Sequence, residues 1–375
     1  MSHRVFAITL LAICLLPIGC VAPTAAPPPA NQQMSEWDQV LAAAKREGKV
    51  VVIGGAGSGT ADALTMDFQR LYPDIQLDFS GMAGSQVPPK ITAEAATGKM
   101  ITDLTIVGTT TTIEVFMPSN LVDPIRTYLV GPNTTPEESQ WRGGKFTFAD
   151  DEGKYAFVSI LYVKAPLVYN PDAVSPNDIR SYRDLLDPKW KGKIAMFDPR
   201  RPGGGLANST FWYANPQLGP EYIRQLFSTQ DITISSDSNQ LIDWVAKGQY
   251  AMALGVGDLE SIEAIRKGLP IKQMPGDVFR EGTYVTPGNG SLAVMKDPPH
   301  PNALKVYLNW LLSKDGQYAW SKGAGFASVR ADVPTDHVPD YLVPKANVAY
   351  DDNYAERYVK LREDIVQYLG PLLPR

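Results

Sequence analysis

Residues 281–312 read EGTYVTPGNGSLAVMKDPPHPNALKVYLNWLL, and this stretch decides the fold. Two turn clusters, Glu281-Gly282-Thr283 and Pro287-Gly288-Asn289-Gly290, precede the apolar run Leu292-Ala293-Val294-Met295. Glycine, proline and asparagine supply turn backbone, and a short apolar run bounded by turns spells a buried strand. His300-Pro301-Asn302 then opens a helix whose Leu304, Tyr307, Leu308, Leu311 and Leu312 recur at helical spacing. A buried strand and an amphipathic helix arriving this late read as the way back into a lobe begun earlier.

Towards the N-terminus, Ser35 is placed to cap a helix with Asp38 three residues on, Trp37, Val40, Leu41 and Ala44 on one face and Gly48 at its end. Val50 to Ile53 is a buried strand, followed by the glycine run from Gly54 to Gly59 and a helix carrying Leu64, Phe68 and Leu71. A dinucleotide fingerprint fails here, because Thr60 and Asp62 stand where its third glycine belongs. Gly57 and Ser58 remain as a strand-to-helix loop: either a tight turn, or backbone amides at a helix start that face a ligand. The same unit recurs. Ile75, Leu77 and Phe79 alternate as a half-buried strand, Gly84 and Ser85 sit in the next loop, and Val87, Ile91 and Ala95 mark the next helix. A third strand runs within 99–107. Repeated strand–helix units imply a parallel α/β sheet, whose ligands bind beyond the carboxyl ends of the strands, so the loops at Gly57, Ser85 and Gly108 fall on one edge.

Beyond the middle of the chain, Trp190 reads as core, and Asp198-Pro199-Arg200-Arg201-Pro202-Gly203-Gly204-Gly205 links a strand to a helix. Unpaired amides and the helix dipole both favour an anion at such a turn, which makes Arg200, Arg201, Gly204 and Gly205 candidate ligand residues. It is not a P-loop, lacking the Gly-Lys-Ser/Thr ending. A capped helix from Ser238 and a strand over 250–256 lead to Gly257-Asp258-Leu259-Glu260. In the tail, Tyr358, Leu361, Ile365, Tyr368 and Leu369 follow helical spacing, so this helix docks on a lobe.

Several of these stretches resemble the extracellular solute-binding receptors of ABC importers, family 1, which includes ferric-iron, polyamine, thiamine and phosphonate receptors. The Glu281-Gly282-Thr283 turn, Thr286-Pro287-Gly288, the buried strand and the His300-Pro301-Asn302-Ala303 helix match, in order, the return after that family's second crossover. Residues 155–170 (YAFVSILYVKAPLVYN) resemble its first crossover and run into Tyr169-Asn170-Pro171-Asp172, while 182–197 and Phe326 to Arg330 match further family phrases. Thr102-Asp103-Leu104 resembles the Ala-Asp-Val signature placed just before the cleft, which makes Asp103 a candidate contact, with loop capping as its plainer role. The resemblance implies a two-lobe α/β fold of the periplasmic-binding-protein type II. Each lobe is then a mostly parallel sheet flanked by helices, with the ligand cleft between lobes. Residues 35–162 and 286–330 would form lobe one, and 163–285 with part of 331–375 lobe two. Asp258 and Tyr284 become cleft candidates. The family's iron branch uses adjacent tyrosines, and this chain has no Tyr-Tyr pair, so no metal site is expected.

Residues 1–20 have the layout of a secretory signal: Arg4, an apolar run from Val5 to Leu16, and Gly19-Cys20 in a lipobox-like ending. Cys20 is the candidate lipidation site, with simple cleavage or an uncleaved anchor as the alternatives. Residues 21–34 are a Pro/Ala-rich tether. Both cysteines, Cys14 and Cys20, lie in the leader, so the folded body has no thiol or disulfide. A net charge of −5 makes a poor nucleic-acid binder.

An enzyme needs a constellation this chain does not assemble, for it has no G-x-S-x-G and no H-E-x-x-H, and adjacent acids such as Asp150-Asp151 fit a solvated face. The expectation is a non-enzymatic, monomeric receptor without cofactor, located outside the cytoplasm, lipid-anchored or periplasmic. It would trap a small anionic solute and deliver it to an ABC permease. A ferric-iron receptor is the alternative within the family, and a secreted hydrolase or a ligand-free structural lipoprotein the alternative outside it.

Overall fold

The computed structural model describes residues 35–373 apart from 56, 57 and 83. Cys20, the leader, the tether and Gly57 lie outside the described residues. Among the described residues no helix is long and apolar enough to cross a membrane.

The chain opens with helix α1 (Glu36–Glu47), then strand β1 (Lys49–Gly55), helix α2 (Ser58–Leu71), β2 (Gln76–Met82), α3 (Val87–Ala96) and β3 (Leu104–Val107). β1 lies between β2 and β3 and runs parallel to both, as strand–helix–strand connections require. Leu64 and Phe68 face the core, whereas Leu71 is 51% exposed and off the packed stripe. The third strand is shorter than its apolar run suggests, because residues 99–103 approach it as irregular chain. Short strands β4 (Val122–Asp123), β5 (Thr147–Phe148) and β6 (Phe157–Val158) complete this side of the chain.

β7 (Tyr162–Val163) carries the chain to a second sheet, made of β8 (Leu167–Tyr169), β9 (Ile194–Phe197), β10 (Thr233–Ser235), β11 (Met252–Leu254) and β12 (Lys272–Gln273). Its order is β10-β9-β11-β8-β12, with the first three parallel and β8 antiparallel to its neighbours. Helices α4 (Gly204–Ala214), α5 (Gly219–Thr229), α6 (Ser238–Ala246) and α7 (Asp258–Arg266) connect these strands. β13 (Val285–Thr286) leads back and pairs antiparallel with β7. β14 (Ser291–Met295) then inserts between β3 and β6, so the first sheet is closed by a strand nearly 190 residues distant from it in sequence.

The return helix α8 (Pro301–Leu311) and α9 (Lys314–Ala324) cover the first sheet. Leu304, Tyr307, Leu308, Leu311 and Leu312 are all fully buried there, as their spacing demands. Glu47 at the end of α1 accepts the amides of Asn302 (2.9 Å) and Ala303 (2.7 Å), where the start of α8 leaves donors unpaired. The last helix, α10 (Glu356–Leu369), places Val359 in the core of the first sheet and Ile365 and Leu369 in the core of the second.

In the second sheet, α4 approaches the strand ends so closely that a β-carbon on Gly204 would overlap the Gly255 carbonyl and one on Gly205 the carbonyl of Phe197. Gly205→Ala is therefore expected to destabilise the chain by about 2–4 kcal/mol, since backbone has to move to admit the methyl. Urea unfolding checks this, and an unchanged midpoint would contradict the close approach.

Candidate functional site

The β7–β13 crossover lies beside strand ends from both sheets: Tyr162 of β7 touches the Gly288 turn that precedes β14, and Lys164 reaches the Val256 carbonyl just beyond β11. On the first-sheet side Gly55 at the end of β1, Gly84 after β2 and Gly108 after β3 surround one exposed side chain, Asn289. A β-carbon at Gly55 would lie 3.6 Å from Asn289 Nδ2, and those at Gly84 and Gly108 would lie 4.0 Å and 3.8 Å from its Oδ1. Gly84 and Ser85 are exposed in a helical turn on this edge. Ser58 begins α2 after β1, and of the edge expected at Gly57, Ser85 and Gly108 the structure describes the last two. Asn289 itself reads in sequence only as turn chemistry; its side chain becomes informative when the three loops surround it.

The adjoining turn brings Gly288 so near to Tyr162 that a β-carbon would sit 2.7 Å from the phenol oxygen. Tyr162 stacks on Phe326 with ring centroids 3.9 Å apart and donates its hydroxyl to Asp258 Oδ2 at 2.9 Å. Lys164 Nζ donates to the same oxygen at 2.6 Å and to the Val256 carbonyl at 3.0 Å. With side chains only 3% and 8% exposed, Lys164 and Asp258 form a buried ion pair between the crossover and the start of α7. Asp258 Oδ1 is buried without a hydrogen-bond partner among the described residues. Burial, reinforced by the Asp258 charge, pushes the Tyr162 hydroxyl well above its ordinary pKa, so it stays a phenol. Lys164 has a legible signal in sequence, a lone charge inside an apolar extended run.

On the second-sheet side, β9 delivers Asp198, the arginine pair and the start of α4. The first backbone bond of α4 is from Ala207 to the Gly203 carbonyl, so the amides of Gly204, Gly205 and Leu206 precede the ladder. Arg200 is engaged by Asp198 in a two-pronged contact, Nε to Oδ1 and Nη2 to Oδ2, both at 2.9 Å. That fork holds the Asp198 carboxyl below its ordinary pKa against the opposing effect of burial. Arg201 is exposed, and its side chain makes no ion pair or hydrogen bond among the described residues. Of the two arginines, then, Arg200 is held by Asp198 and Arg201 is left exposed.

Two candidates take other roles. Asp103 is 0% exposed at the amino end of β3, the end opposite the glycine loops. Its Oδ2 accepts the Val51 amide at 2.8 Å and contacts His300 Nδ1 at 2.9 Å, while Oδ1 accepts the His300 amide at 2.8 Å. It fastens the return helix to the sheet, which is the capping role rather than the ligand contact. Tyr284 is likewise buried, and its hydroxyl donates to Asn208 Oδ1 at 2.7 Å, which commits it to α4.

The architecture is that of a two-lobe α/β binding protein of the periplasmic type II, with the candidate cleft at the crossover. A family model described as bacterial extracellular solute-binding protein matches residues 63–345, well over half of the chain, and the chain belongs to that family. Iron uptake protein A2 of Synechocystis is 27% identical over 194 residues, covering 46% of this chain and 52% of that protein. The chain thus spans about half the length of the curated relatives it matches. Among solved structures, the periplasmic binding protein AfuA of Actinobacillus pleuropneumoniae, with fructose 6-phosphate bound, superposes with a TM-score of 0.66 at 18% identity, covering 86% of this chain and 98% of that one. Iron-bound HitA of Pseudomonas aeruginosa gives 0.63 at 19% identity over 84% and 99%. At such identities the structural likeness establishes the fold.

Asp103→Ala is expected to lower stability by about 2–4 kcal/mol, because it strands buried donors. Solute affinity should stay the same. Denaturation and titration calorimetry on one preparation check both, and a loss of affinity without loss of stability would return Asp103 to the site.

Proposed function

We propose that this chain is the receptor of an ABC importer, capturing a small anionic solute between its two lobes and presenting the closed form to a membrane permease. The observation that carries this reading is the meeting of three strand-end loops at the exposed Asn289, next to a crossover that also holds Asp258 at the start of a second-lobe helix. Residues 35–162 and 286–330 form lobe one and 163–285 lobe two, with the C-terminal segment shared between them. The unladdered amides of α4 and the exposed Arg201 supply positive potential for a carboxylate or phosphate. Fructose 6-phosphate in AfuA is a solute of this kind. Closure follows from differential affinity: a solute that touches both lobes prefers the closed state, and the β7–β13 pair absorbs the backbone change. A monomer held outside the cytoplasm through a lipid on Cys20 fits the leader, the tether and the family.

Ferric iron is the second reading, favoured by the names of the iron uptake relative and of HitA. It ranks below an anion because hard ferric ions want phenolate ligands, this chain has no adjacent pair of tyrosines, and the Tyr162 hydroxyl at the crossover is already committed to Asp258.

Thermal melting of the full chain with D-fructose 6-phosphate, citrate, inorganic phosphate and a ferric salt tests the proposal. A solute at about a hundred times its Kd adds about 2.7 kcal/mol of stability, which raises Tm by several degrees. The anions are expected to give that shift, and Asn289→Leu to weaken the responding anion at least tenfold. A shift with ferric ion alone would favour the second reading, and no shift with any anion would overturn the first.

A further inference from the structure

The C-terminal segment makes a third connection between the lobes, beside the two crossovers. Val285 N donates to the Asp351 carbonyl at 2.8 Å and Asp351 N to that of Thr283 at 3.1 Å, which lays residue 351 along β13. Asn353 Nδ2 donates to the Ala207 carbonyl of α4 at 2.7 Å, while Glu356 N donates to the Ala149 carbonyl of lobe one at 2.8 Å. α10 follows, packed into both cores.

This junction is polar and poorly satisfied. Asp351 Oδ1, Asn353 Oδ1 and Arg362 Nε are buried without a hydrogen-bond partner among the described residues, although Asn353 is only 2% exposed. Buried polar atoms nearly always find partners, so three along one short segment call for a reason. Arg362 is half-buried, and its Nη2 reaches only the Asn353 carbonyl, at 3.4 Å. Across from it stands Glu114, exposed on the helical turn Thr111–Phe116 that follows β3 in lobe one. The two charges act on one another, yet no ion pair within 4.0 Å joins them. Burial lowers the Arg362 pKa and raises that of Glu114, each opposed by the other's charge. A guanidinium kept only for structure would close onto the facing carboxylate, as Arg200 does onto Asp198.

We propose that Arg362 is an anion-binding residue at the lobe boundary, with Glu114 accepting a hydrogen bond from a hydroxyl or ammonium group of the same solute. The pair selects an organic anion that also carries donors, such as a sugar phosphate or a hydroxy acid, over a bare inorganic anion. This rests on the receptor reading above and names the part of the solute that the third crossing recognises.

Arg362→Met and Glu114→Gln, made in the full chain, test it by melting without solute and by calorimetric titration with D-fructose 6-phosphate, citrate and inorganic phosphate. Because the unliganded guanidinium is under-satisfied, Arg362→Met should raise the unliganded Tm by about 2 °C or more while weakening the organic anions at least tenfold. Glu114→Gln should weaken the organic anions and leave phosphate unchanged. A fall in Tm with unchanged binding would make Arg362 a structural residue and overturn the proposal. Should the unsubstituted chain bind none of the probes, the anion reading fails and this proposal with it, whereas organic anions that bind both the unsubstituted chain and Arg362→Met equally well would overturn this proposal alone.

Discussion

The Lys164–Asp258 contact is the constraint on which the arrangement of the two lobes depends. Both charges are withdrawn from water at the point where the chain first crosses, so neither can be left without the other; an unpaired charge there would cost about 3–5 kcal/mol. Through Asp258 the pair fixes the start of α7, and through the shared hydroxyl of Tyr162 it fixes the turn at Gly288 that re-enters lobe one. One carboxylate oxygen thereby registers the crossover strand, the second lobe and the return segment against each other.

Around that point, elementary sheet geometry does the rest. Parallel strands end on the same side, and each βα connection exposes amides and small residues there. β1 and β3 in one lobe and β9 and β11 in the other thus send their loops to a common boundary, where Asn289 and the start of α4 stand. The glycines at that boundary do unlike work. Gly55, Gly84 and Gly108 leave room for the Asn289 amide, whereas Gly204 and Gly205 let a helix press against strand ends. Glycine loops that look alike in sequence thus separate into a set that surrounds an exposed side chain and a set that admits close backbone packing.

The same separation explains where reading the sequence succeeded and where it did not. The βαβ periodicity and the late return strand were legible, because alternation, turn residues and helical spacing are local properties, and the crossovers were legible through their resemblance to family phrases. For Asp103 the sequence left two roles open, ligand contact and loop capping, because a motif places a residue along the chain but not at one end of a strand or the other. The two arginines at 200 and 201 are equivalent in sequence, and only the position of Asp198 shows that one is occupied and the other exposed. Arg362 sits within an amphipathic tail helix, where a charge beside an apolar stripe looks like an ordinary solvated position.

By itself the sequence determined the α/β class of fold, which follows from local periodicity, and the confinement of both cysteines to its first twenty residues, while its resemblance to family phrases pointed to the two crossovers and to the kinship with solute-binding proteins. The tertiary structure alone decided which polar groups meet. Lys164 and Asp258 are 94 residues apart and share one bond; Asn289 meets loops from three distant strands; the tail helix enters two cores. Hydrogen bonds and burial act over a few ångströms in space and carry no trace of separation along the chain, so a site assembled from such remote segments is visible only after the chain has folded.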